Sequence, residues 1–246
     1  MGITEIIKDI REAISDGTYR AGDTLPAGKD LAVKYGVSRQ TVSNAMSRLA
    51  LLGLVNTGTR SGVKVLAGKP SDNHLGSFGA PDLAHSVARR PTRGGSESER
   101  TVEVRQVTAK NIAGIEDGTQ VVERIREYRV DGLVAQHKVT ILPLWVAEKK
   151  PRGYQGIAPL LAPVGAPTPD QPKGIRFYDW LGIGEVSKST RISVDPVEGG
   201  AAAALGMSDG VPCFRIVTVT RDANGRTVDV LVQTLPLHHG ITLDSH

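Results

Sequence analysis

Apolar residues recur at helical spacing in three stretches near the start of the chain. Ile3, Ile6, Ile7, Ile10 and Ile14 hold one stripe until Asp16-Gly17 ends it, and Leu31, Ala32 and Tyr35 form a shorter stripe after Pro26. Val42, Ala45, Met46 and Leu49 then follow at i, i+3, i+4 and i+7, with Arg39, Gln40, Ser43, Asn44 and Ser47 off the stripe. Only Gly36-Val37 separates the second helix from the third, the tight joint of a helix-turn-helix. Residues 54–55 and 63–66 read as short strands around a polar tip at 56–62. Three helices and a hairpin predict a winged helix-turn-helix over residues 1–66.

The second half changes period. Residues 120–130 and 133–142 flank Asp131-Gly132, and residues 213–220 and 227–235 flank Asn224-Gly225; both dipeptides accept the positive φ of tight hairpin turns. A mainly antiparallel sheet follows. Between the hairpins, a segment near Gly174 places Ile175, Tyr178 and Leu181 on one face, and Asp195-Pro196 is expected to open an Ala-rich helix ending at Leu205-Gly206. Residues 158–172 hold five prolines and are predicted to be a long loop. Residues 67–100 are rich in Pro, Gly and Ser, which places a linker at 67–80 and leaves Arg89, Arg90 and Arg93 as a solvated run or a contact to DNA flanks. The expected class is α+β: a winged helix-turn-helix, then an α/β domain spanning 81–246 with a mainly antiparallel sheet.

Charge sharpens the first domain. Of a net +4 over 246 residues, residues 1–66 carry nine Lys/Arg against six Asp/Glu and the rest 21 against 20. Ser38 is placed to cap the third helix, whose N-terminus offers free N–H groups to a phosphate. Arg39, Gln40, Ser43 and Asn44 are the expected base readers, flanked by Ser38 and Thr41, while Lys29, Thr59, Arg60 and Gly62 are assigned to phosphate or minor-groove contact. The competing reading is an ordinary amphipathic surface helix. The Gly-containing tip lacks the Lys-Ser/Thr ending of a nucleotide loop.

Other chemistry is thin. The single Cys213 allows no intrachain disulfide and fits a reducing cytoplasm, and no apolar run approaches the ~20 residues of a membrane span. No nucleophile elbow, Cys-His pair or metal spacing is found, His238-His239 reads as surface, and neither cofactor nor metal is expected. The chain therefore reads as a non-enzyme.

The run DGTYRAGDTLPAGKDLAVKYGVSRQTVSNAMSRLALLGLV resembles the DNA-binding domain of the GntR family of bacterial repressors, through G-x-Y-x-x-G-x-x-L-P, L-A, V-S-R-x-T-V and L-x-x-x-G-L-V. Ala27, Gly28 and Lys29 stand where the family usually has Ser-Glu-Arg, so the second helix has no Ser cap; Ser43 and Asn44 stand where relatives often carry arginine. VVERIREYRVDGLVAQHKVTILP and AAAALGMSDGVPCFRIVTVTRDANGRTVDV resemble the effector (UTRA) domain of the HutC branch, which shares the chorismate lyase fold. The resemblance implies a metabolite pocket and a homodimer on an inverted-repeat, double-stranded DNA operator.

Strand alternation puts Arg124 and Arg126 on one face, and Gln136, Lys138 and Thr140 on one face of the next strand, opposite Leu133, Ala135, Val139 and Ile141. Paired guanidiniums beside a hydroxyl suit a carboxylate or phosphate; the alternative is a solvated face with salt bridges to Glu123 or Glu127. The resemblance adds Lys138 and Asp229 to the effector contacts, at positions where relatives carry Glu. It favours a repressor answering to a small anion. A constitutive repressor of conjugative plasmid transfer and a DNA-tethered chorismate lyase-like enzyme remain the other readings.

Overall fold

The computed structural model describes residues 2–66, 97–130, 132–184 and 186–238. Helices α1 (Ile3–Ser15), α2 (Gly28–Tyr35) and α3 (Arg39–Leu51) precede a hairpin of β1 (Val55–Thr59) and β2 (Gly62–Val65). Ile6, Ile10 and Ile14 of α1 pack with Leu31, Tyr35, Val42, Ala45, Met46 and Leu49 into one core, closed by Val55 and Val65 of the wing. Each of these side chains is almost fully buried, which stabilises by about 1.5–3 kcal/mol per large aliphatic group. Gly36 ends α2 at φ 65°, the left-handed turn that lets α3 start three residues later. The wing strands run further than the pattern suggested, leaving only Arg60 and Ser61 as its tip, and Thr24 bridges Lys64 along its edge.

The second domain is a six-stranded antiparallel sheet in the order β3-β4-β5-β8-β7-β6. Its strands are β3 (Glu97–Thr108), β4 (Gln120–Val130), β5 (Leu133–Pro143), β6 (Val186–Pro196), β7 (Pro212–Asp222) and β8 (Thr227–Pro236). Short helices α4 (Leu144–Ala147), α5 (Phe177–Trp180) and α6 (Gly199–Leu205) complete it. The two expected hairpins are β4-β5 and β7-β8. Both edge strands, β3 and β6, lack a clean alternation, because each has a neighbour on one side only and much of its surface stays wet.

Two local expectations are corrected. Asp195-Pro196 does not open a helix; both residues end β6, paired with Cys213 and Pro212, on an edge strand that tolerates a missing N–H. Helix α6 begins at Gly199 instead. Ile175 is 44% exposed, and Phe177 takes the inward place, packing with Tyr178, Leu181, Val122 and Leu142. The proposed 67–80 linker and Arg89, Arg90 and Arg93 lie outside the described residues.

The domains touch. Leu66 packs against the cluster of Leu205, Met207 and Cys213, the Asn56 side-chain amide donates to the Gly206 carbonyl at 2.6 Å, and the His238 imidazole lies 3.3 Å from the Leu52 carbonyl.

Candidate functional site

Helix α3 is held by its buried stripe, so its other face is fixed toward solvent. Ser38 caps it: Ser38 Oγ accepts from the Thr41 N–H at 3.0 Å and lies 2.8 Å from the Thr41 hydroxyl. Arg39, Gln40, Ser43 and Asn44 are exposed, and the Gln40 amide donates to Asn44 Oδ1 at 3.0 Å. That i,i+4 pair presents two amides as one unit. Lys29 and Arg60 are exposed at the start of α2 and at the wing tip, whereas the half-buried Thr59 donates across the tip to the carbonyl of Gly62, itself exposed. Helix α2 has Ala27 at its cap position and no side-chain cap bond, as the missing Ser implied.

On the sheet, the register sets Arg124 opposite Thr140 and Arg126 opposite Lys138, on one face. The proline-rich loop closes over that face. Arg124 Nη1 donates to the Leu160 carbonyl at 2.8 Å and to the Ala162 carbonyl at 3.3 Å. Beneath the loop is a cavity of about 520 Å³, with Glu99, Arg124, Arg126, Gln171, Phe177 and Trp180 among its walls. An adjoining space of about 580 Å³ shares Arg100, Thr101 and Arg124 with it. Burial, reinforced by repulsion from Arg126, pulls the Arg124 guanidinium down to about 10. No carboxylate among the described residues forms an ion pair with it, so an anion entering the cavity would relieve both effects.

The other arginine is already paired. Arg126 Nη1 donates to Glu99 Oε1 at 2.9 Å and Arg126 Nη2 to Thr140 Oγ1 at 3.1 Å, while Lys138 Nζ donates to Glu99 Oε2 at 2.8 Å. Thr140 is fully buried, and neither it nor Lys138 is among the cavity's walls; each is bonded to a residue that is. Asp229 does not reach the cavity. It is fully buried and accepts from the Tyr178 hydroxyl; burial pushes its carboxyl up and, with Asp229 beside it, raises the Tyr178 phenol strongly. Nor do Glu123 and Glu127 pair with Arg124 or Arg126. They project from the opposite face, to Arg105 at 2.7 Å and Arg129 at 2.6 Å.

Residues 3–65 match the family described as bacterial regulatory proteins, gntR family. They form a GntR-family domain. The chain is 36% identical over 80 residues to the Uxu operon regulator of Haemophilus influenzae, covering 32% of this chain and 30% of that one. It is 43% identical over 67 residues to the vitamin B6 salvage pathway transcriptional repressor PtsJ of Salmonella typhimurium, covering 27% and 15%. These matches span less than a third of either relative. Over nearly the whole chain, 98% of this one and 99% of the other, the fold resembles PhnF from Mycobacterium smegmatis, with a TM-score of 0.50 and 20% identity.

Glu99, Gln171, Phe177 and Trp180 escaped the sequence reading. Gln171 donates to the Ile175 carbonyl at 2.6 Å while its Oε1 is buried with no partner among the described residues. The five-proline loop was the available signal, since an ordered loop of that length had to cover something. Glu99 gave none, because it lies in an unbroken polar run, residues 97–101, at the start of its strand. Among the described residues no helix is long and apolar enough to cross a membrane.

Proposed function

We propose that this protein is a homodimeric transcriptional repressor of the HutC type that binds an inverted-repeat operator in double-stranded DNA and releases it when a small anion occupies the sheet-domain cavity. The exposed polar face of α3 within a GntR-family domain carries the DNA half of this reading. A helix whose first two turns offer Arg39, Gln40, Ser43 and Asn44 enters the major groove with side chains suited to guanine and adenine edges. Lys29 and Arg60 supply sequence-independent phosphate or minor-groove attraction, with Ser38, Thr41, Thr59 and Gly62 shaping the backbone around them. The regulator and repressor names of the partial relatives support the same direction.

The effector half rests on Arg124. A largely buried guanidinium held, among the described residues, by neutral carbonyls favours a bidentate carboxylate or phosphate. Moving a repressor from 99% bound to 99% free requires ~5.5 kcal/mol of differential affinity, which a desolvated, charge-assisted contact supplies more readily than a neutral ligand.

The test is footprinting on the promoter beside this gene. Arg39→Ala is expected to cost ~1–3 kcal/mol and relax one operator position. Unchanged affinity and sequence preference in that variant would refute the assignment.

A further inference from the structure

The two arginines of the cavity differ in one respect. Arg124 has no carboxylate partner among the described residues, while Arg126 and Lys138 share one, Glu99, at 2.9 and 2.8 Å. All three side chains of that triad are at least four-fifths buried, and Glu99 lines the cavity together with both arginines. A carboxylate between two cations in a cavity wall stands where a ligand's anionic group would find its best donors. Glu99 is also the third residue of β3, an edge strand and the first strand of the sheet in chain order. The β3-β4 register shifts between Thr101 and Glu103, so Glu97–Thr101 forms a short paired run separated by a bulge from the rest of the strand.

We infer that Glu99 is a tethered internal anion that holds the Arg126–Lys138 pair when the cavity is empty, and that the effector's anionic group takes its place. This rests on the anion-cavity reading and adds its means of regulation. Once displaced, Glu99 no longer anchors the first five residues of β3, whose one strand neighbour among the described residues is β4. The triad ties cavity occupancy to the first strand of the sheet. Arg124 is the fixed attraction, whereas Arg126 and Lys138 are the exchangeable one. Exchange also limits the net cost of entry, because the displaced carboxylate moves to water instead of staying buried without a partner.

The experiment uses the full chain and two probes, inorganic phosphate and benzoate, titrated by calorimetry into the wild type, Glu99→Gln, Glu99→Asp and Arg124→Ala. Glu99→Gln keeps the shape and removes the competing charge, so at least one probe should bind it tenfold or more tightly than it binds the wild type. Glu99→Asp keeps the charge on a shorter stem and guards against a Gln-specific folding defect; it should fall between the two. Hydrogen exchange supplies the second readout: backbone amides of 97–101 should exchange faster in Glu99→Gln, and faster in the wild type once the probe is added, with 103–108 unchanged. If wild-type binding is lost in Arg124→Ala but Glu99→Gln gains nothing, Glu99 is not a competitor and the anion cavity stands. If neither probe binds any form, the cavity reading and this inference both fail. Probe binding with unaltered exchange at 97–101 overturns the link to β3.

Discussion

At the scale of single residues, the two cavity arginines differ in what already answers their charge. Arg124, largely buried, is held among the described residues by backbone carbonyls, and Arg126 by the Glu99 carboxylate. His137 gives a different residue-level consequence. It is 7% exposed, and burial holds its imidazole below the usual range despite the opposing pull of Glu127. The folded chain therefore keeps His137 neutral at a pH where the unfolded chain, with its ordinary value near ~6.5, already binds a proton. Stability should be complete above that pH and fall as pH drops from about 6.5 through the folded value, then level off once both states are protonated. Denaturant melts between pH 8 and 5 should show this decline, and His137→Gln should flatten it. An identical slope in the variant would remove His137 as the cause.

At the scale of elements, the reading surface depends on how α3 is started and held. The Ser38 cap meets a free N–H of the first turn, and the buried face of Val42, Ala45, Met46 and Leu49 sets the rotation of the helix. Ser38→Ala should cost the first domain about 1 kcal/mol, measured by denaturation without DNA, while Ser38→Asp should restore most of it. Equal stability of all three forms would show that the Thr41 contact contributes nothing net. The loop over the sheet acts at the same scale. Its prolines remove the backbone donors a regular element needs, so it packs by apolar contact and through carbonyls offered to Arg124.

At the scale of the whole molecule, the domains meet along a close seam. Gly53, at φ 70°, has no room for a side chain, since a Cβ there would lie 2.7 Å from that of Pro236, and Asn56 of the wing is bonded to the end of α6. Part of the wing root thus rests on the sheet domain, and a shift of β8 or α6 would be felt by the DNA-binding domain. A two-fold dimer of such units requires an operator of two inverted half-sites at fixed spacing. Sedimentation should give a dimer at micromolar concentration, with a footprint over both half-sites. A monomer, or protection of one asymmetric half-site, would contradict it.

The sequence by itself determined the three helices, the wing and the two inner hairpins, because these elements bury one face continuously and so repeat at 3.6 or 2 residues. It also set Arg124 and Arg126 on a common face, since alternation along a strand is local. It did not reveal β3 or β6, whose exposed edges blur the period, nor the start of α6, where Asp195-Pro196 had a second use at a strand end. What lies over a face is a matter of distant chain segments. Only the tertiary structure therefore decided that the proline loop covers the arginines, that Asp229 is sealed beneath Tyr178, and that Glu99, 27 residues from Arg126 and 39 from Lys138, supplies the carboxylate between them.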